Sequence, residues 1–166
     1  MVGDAWPPAF VCTGTDIDSG RLQVWDEHAS VPLARAVAAS RSVPFVFPVI
    51  GIDGGRCIDG GLRDPLNADL ARGHETVIAV SCFPLTAEDP GPIHPATLAQ
   101  QRTTNAVLRE LRDQDARIAI VEPDEEFLAI GAGGERLMDT LRVGEAYLAG
   151  TRLGARAARG IAAFRG

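Results

Sequence analysis

The run Thr76-Val77-Ile78-Ala79-Val80-Ser81 does most to narrow the choice of fold. It is apolar almost throughout, the pattern of a strand covered on both faces. A short helical stretch from Asp64-Pro65 and Asn67 through Arg72, closed by Gly73, precedes it. A strand placed after a short helix predicts a parallel α/β unit. Arg117-Ile118-Ala119-Ile120-Val121 is a second buried-strand candidate. The expected class is therefore α/β, in one domain over residues 1–166 without internal repeats.

Upstream, Ala9–Thr13 reads as a strand, and Arg21–Trp25 alternates polar and apolar as a half-buried one does. Between them Asp16–Gly20 is turn chemistry, so an antiparallel hairpin is expected. Ser30 followed by Val31-Pro32 signals a helix start, with Leu33 and Val37 sharing a face. Val43-Pro44 ends that helix, because a residue before proline is biased out of the α region. Phe45–Ile52 is extended and apolar, with Pro48 arguing against an undisturbed central strand. Asp53-Gly54-Gly55 is a turn, and Arg56-Cys57-Ile58 a short extended return.

Downstream, Pro84–Pro95 is a proline-rich loop. Pro95–Arg112 is a helix candidate with Ala96, Ala99, Val107 and Leu111 on its apolar side. Glu122–Gly134 is acidic and glycine-rich. Glu135 to about Arg159 reads as a long helix offering Leu137, Leu141, Tyr147 and Leu148 to a core, and breaking near Gly150.

Composition excludes several functions. The chain is 46% hydrophobic and 23% charged, which fits a globular domain. Its net charge is −6, and all 16 basic residues are arginines without a basic block. Nucleic-acid binding needs clustered positive charge, so none is expected. No apolar run is long enough to span a bilayer. A cytoplasmic or membrane-peripheral location is expected. Cys12, Cys57 and Cys82 make no metal-type pair and are expected to be reduced and buried. His28, His74 and His94 stand apart from one another and from the cysteines. The aspartates occupy separate turns, so no metal or cofactor is expected.

The residue with the clearest chemical potential is Asp59, in Cys57-Ile58-Asp59-Gly60-Gly61-Leu62. A carboxylate fixed at a turn can accept a proton from a hydroxyl. Gly60 and Gly61 allow close backbone approach that larger residues bar. A turn aspartate bonding its own backbone is the plainer reading of the same letters. Gly131-Ala132-Gly133-Gly134 lacks a phosphate-loop ending and reads as a helix approach. The arginines at 152, 156, 159 and 165 permit weak contact with anionic lipid, or an ordinary surface helix.

The wider constellation is more specific. Cys12-Thr13-Gly14-Thr15-Asp16-Ile17 leads to Ser19-Gly20-Arg21, then Ala34–Ser40, Val43-Pro44, Phe47-Pro48, Ile52-Asp53-Gly54 and Ile58-Asp59-Gly60-Gly61. Asp64-Pro65, Gly73 and Val77–Ser81 follow. This pattern resembles the C-terminal half of a patatin-like phospholipase domain, best over residues 9–82, with 83–166 as a variable region. The resemblance implies a three-layer α/β/α fold with a mostly parallel sheet. It implies a serine acyl hydrolase acting on lipid esters without histidine, with Asp59 as the acidic member of a serine–aspartate dyad. Ser40 becomes a structural neighbour of the site beside Gly60 and Gly61.

The nucleophile of that family sits in a G-x-S-x-G elbow, and a glycine-rich loop supplies its oxyanion hole. Neither pattern occurs in these 166 residues. The expectation is a piece of a larger polypeptide, inactive alone, with exposed sheet edge open to association. The alternative is a non-catalytic structural or protein-interaction domain derived from the same fold.

Overall fold

The computed structural model describes residues 5–85, 95–132, 136 and 139–162. Two compact units emerge: Met1–Leu70 with Pro95–Thr104, and Ala71–His94 with Asn105–Gly166.

The first unit is built on a four-stranded sheet. Its strands are β1 (Cys12–Asp16), β2 (Leu22–Trp25), β3 (Ile50–Ile52) and β4 (Gly55–Asp59), in the order β2-β1-β4-β3. The expected hairpin forms, with Cys12 opposite Trp25 and Thr15 opposite Leu22. β4 then pairs antiparallel with both β1 and β3. The β3–β4 link is the two-residue turn Asp53-Gly54, with φ of 49° and 82°. Both values are positive, as a type I′ hairpin turn requires, and Asp-Gly suits that turn.

Helix α1 (Leu33–Ser40) buries Leu33, Ala36 and Ala39. Its start differs from the expected Ser30. Pro32 is the capping residue, and its carbonyl accepts the amides of Arg35 and Ala36 at 2.9 and 3.1 Å. No side chain caps this end. Buried Val31 instead anchors the approach, in a core with Cys12, Trp25, Ala36, Ala39, Ile52 and Cys57. At the far end the Ser42 hydroxyl donates to the Ala38 carbonyl at 2.7 Å, satisfying a helix-terminal acceptor.

The extended run expected over Phe45–Ile52 shortens to β3 alone. Val46 and Phe47 donate their amides to the Val43 carbonyl at 3.1 and 3.0 Å, closing a turn. Pro44 and Pro48 lack donors for a ladder, so this segment cannot pair as a strand.

The second unit contains β5 (Thr76–Val80) and β6 (Arg117–Val121), a parallel pair in register from Thr76 opposite Arg117 to Val80 opposite Val121. The α/β class and a parallel pairing are thus present. The parallel pairing is confined to this unit, while the four-stranded sheet is antiparallel. β5 is not covered on both faces as expected: Ala79 is buried, but Ile78 is 50% and Val80 65% exposed. The short helix expected after Asp64 is a 3₁₀ turn over Ala68–Ala71.

Helix α2 (Pro95–Asp113) matches its expected span. Its buried side carries Gln101, Thr104, Leu108 and Leu111, at spacings of three and four. Ala99 is exposed and Val107 half-buried, so the inward stripe is rotated from the one expected; the side chain of Ala96 lies outside the described residues.

Helix α3 (Glu125–Gly131) falls within the stretch read as acidic and glycine-rich. Asp124 caps it by accepting the Phe127 amide at 2.9 Å, and Glu125 and Glu126 occupy the first turn. Negative charge there favours the helix dipole.

Helix α4 (Val143–Ala162) runs unbroken through Gly150. Gly150 faces the Phe127 ring, and the inward side carries Ala146, Ala149, Leu153 and Ala157. Small residues permit that close approach. Leu141, Tyr147 and Leu148, expected in a core, are instead exposed, Leu141 at 92%. Leu137 lies outside the described residues, as does most of Pro84–Pro95.

Candidate functional site

Asp59 is the last residue of β4 and caps the 3₁₀ turn Gly60–Leu62. Three backbone constraints hold it. Its amide donates to the Ser42 carbonyl at 3.0 Å, its carbonyl accepts the Thr15 hydroxyl at 3.1 Å, and it stands opposite Gly14 in the β1–β4 register. Its side chain is then fixed at one oxygen. Oδ1 accepts the Gly61 amide at 2.7 Å, while Oδ2 accepts no hydrogen bond from the described residues. The plain turn reading is met by Oδ1, and Oδ2 is left without a hydrogen bond among the described residues. The half-buried carboxylate keeps a lone-pair face for an incoming donor.

Gly60 is required by space. A Cβ there would lie 2.3 Å from Thr13 Oγ1 and 2.7 Å from the Thr13 carbonyl oxygen. The turn thus lies directly on β1, and any side chain at 60 would push it off.

A buried polar cluster backs this turn. The Asn67 amide group donates to the Gly60 carbonyl at 3.1 Å and reaches Thr13 Oγ1 at 3.4 Å. Asn67 itself sits at φ 45°. Asp64 holds it there: Asp64 Oδ1 accepts the amides of Leu66 and Asn67 at 2.9 and 2.8 Å. Its Oδ2 accepts the Thr104 hydroxyl at 3.0 Å, with Asp64 and Thr104 both buried. Gln100 adds a 2.7 Å bond to the Leu62 carbonyl. A fully partnered buried network of this kind gives the turn a single geometry.

The sequence brings Asp59, Gly60 and Gly61 together by adjacency. Ser40 ends α1, half-buried, and makes no hydrogen bond to the turn among the described residues. The serine that touches Asp59 is Ser42, through its main chain. Sequence reasoning missed Ser42, Asn67 and Thr104. Asp64-Pro65-Leu66-Asn67 did carry a signal, since an aspartate two and three residues before free amides forms an Asx turn.

Other charged groups lie elsewhere. Ser19 donates its hydroxyl and amide to Asp16, holding that carboxyl below its ordinary range. Arg56 pairs with Asp18 and lowers it likewise. Burial pushes the Cys12 and Cys57 thiols up, with Asp16 and Asp53 adding to the effect at Cys57. Cys82, expected to be buried, is exposed. In the second unit, Arg152 pairs with Glu126 and Arg156 with Asp124. These two arginines are engaged with α3 rather than free for anionic lipid; Arg165 is outside the described residues. Among the described residues no group of three His, Cys, Asp or Glu side chains is arranged to hold a metal. No described helix is long and apolar enough to cross a membrane.

Residues 2–72 match the family model Patatin, described as patatin-like phospholipase. The match spans the whole sheet of the first unit, α1 and the Asp59 turn. No curated protein matches the chain.

Proposed function

We propose that Asp59 is the proton-accepting member of a serine–aspartate dyad in a lipid acyl hydrolase. On this reading the residues around it form the C-terminal half of a patatin-like domain, and the serine and oxyanion donors lie on polypeptide outside these 166 residues. The observation that carries the proposal is the divided carboxylate, with Oδ1 bound by the Gly61 amide and Oδ2 open among the described residues. The patatin-like match over the same segment supports it.

The serine Oγ attacks the ester carbonyl as its proton passes to Asp59 Oδ2. Backbone N–H donors hold the tetrahedral oxyanion. Its collapse breaks the ester bond, and the departing alcohol takes the proton from Asp59. Water then attacks the acyl-enzyme, returning a proton to Asp59, and the fatty acid leaves as the serine is reprotonated. The Gly61 bond keeps the carboxylate aimed throughout, so little orientation is lost at the reaction step.

The test is an assay of the purified 166-residue chain on p-nitrophenyl butyrate. No turnover above the buffer rate is expected. Joining the chain to a segment that carries G-x-S-x-G and a glycine-rich loop should produce turnover. Ester cleavage by the chain alone, abolished by Ser40→Ala, would overturn the assignment of the nucleophile.

A second reading is favoured by one observation: none of Ser19, Ser30, Ser40, Ser42 or Ser81 stands in a nucleophile elbow. The chain would then be a non-catalytic domain that binds a partner through its outer strands, β2 or β3. An in-frame G-x-S-x-G in the gene supports the hydrolase, and a gene without one supports the interaction domain.

A further inference from the structure

Phe45 has an exposure of 108% and a φ of 68°. A bulky residue at positive φ is a backbone outlier, and an aromatic ring fully in water is costly. Both occur at the tip of one loop. Val43, Val46, Phe47 and Val49 are exposed beside it, and no charged residue occurs between Arg41 and Asp53. The loop is nonetheless ordered by the Val43 carbonyl, which accepts the Val46 and Phe47 amides. At its base the Ser42 carbonyl accepts the Asp59 amide, so the apolar tip and the carboxylate turn share one anchor.

Charge brackets the tip with one sign. Arg41 enters it and is exposed. Arg35 reaches its exit, with Nη2 4.0 Å from the Cβ position at Gly51. Neither arginine has a carboxylate partner among the described residues. In a chain of net charge −6 this is a local reversal. Apolar insertion combined with flanking cations is the physical basis of binding to an anionic lipid interface. A projecting tip needs no shape-matched pocket to enter fluid acyl chains.

We infer that Val43–Val49 is an interfacial loop that inserts into an anionic lipid surface and sets the Asp59 site against it. The inference rests on the lipid-ester reading for its occupant, but its test does not use hydrolysis.

The experiment is co-sedimentation of the 166-residue chain with phosphatidylcholine vesicles, with and without phosphatidylserine. Binding is expected, stronger with phosphatidylserine. Phe45→Ser with Phe47→Ser should weaken it by at least about ten-fold. Arg35→Gln and Arg41→Gln should each weaken it about five-fold, on the anionic vesicles only. Leu148→Ser on α4 should change nothing. Circular dichroism checks that each variant is folded. Should the double serine variant fail to fold, Val46→Trp gives an independent reading, with emission shifting to the blue when vesicles are added. Asp59→Asn should bind as the unmodified chain does, so failure of the hydrolase reading would leave this result standing. No sedimentation with either vesicle would overturn the inference. So would binding that survives the double substitution, or self-association lost in Phe45→Ser without any vesicle binding.

Discussion

On the proposed dyad, Asp59→Asn should lower kcat for ester hydrolysis by about a thousand-fold, the check being an assay of a preparation that also carries a serine-bearing segment. The size follows from what the substitution keeps and what it removes. An asparagine oxygen can still accept the Gly61 amide, which Asp59 accepts at 2.7 Å, so the turn survives. The oxygen proposed to take the serine proton would be lost, because a neutral amide is a very weak base. KM should change little, since on the proposed mechanism the substituted atom would act on the nucleophile rather than the substrate. The melting temperature of the first unit should also hold. A fall in kcat of less than about ten-fold would remove Asp59 from the proton transfer.

The second large effect is on stability. Gly60→Ala should cost about 3 kcal/mol, the upper range for forcing extra volume into a packed site. The introduced Cβ would lie 2.3 Å from Thr13 Oγ1 and 2.7 Å from the Thr13 carbonyl oxygen. A hydroxyl can rotate away, but the carbonyl belongs to β1 and cannot move without disturbing its pairing with β2. For a unit of this size the midpoint of thermal unfolding should fall by roughly 15 °C. Circular dichroism melts of the 166-residue chain provide the check. A midpoint unchanged to within about 2 °C would mean that the turn does not rest on β1 as described.

Much of the Asp59 site was legible because it is local. The β1–β2 hairpin, the Asp53-Gly54 turn and the Asp59 turn are each specified by a few adjacent residues. Some element bounds were legible for the same reason: Val43-Pro44 follows the end of α1, and α2 and β6 form over the stretches expected of them. Facing was harder. The inward side of α4 carries alanine and glycine, because Phe127 of α3 comes close to Gly150. Hydrophobicity alone points to Leu141, Tyr147 and Leu148, which are exposed, the first of them in the turn before α4. The same limit applies to β5, whose apolar letters do not tell how many of its faces are covered. Within the site, Thr104 was invisible because it reaches Asp64 across 40 residues of sequence. Ser42 was overlooked because it acts through a carbonyl, which every residue possesses. The α3 cap was readable in principle: Asp124 precedes two glutamates and an apolar group, the ordinary start of a helix.

β4 is enclosed by two copies of one tripeptide, Asp53-Gly54-Gly55 and Asp59-Gly60-Gly61. Their glycines answer to different physical demands. Gly54 has φ of 82° and nothing within 4 Å of its Cβ position, so its requirement is handedness. Gly60 has no positive φ and no room, so its requirement is volume. Mirror-image chemistry separates the two. In a chain made by chemical synthesis, D-alanine at 54 should be accepted, since a D-residue favours positive φ. At 60 the φ is not positive, so a D-residue gains no such match to the backbone. Identical letters at the two ends of one strand thus answer to backbone handedness at one end and to the space beside Thr13 at the other.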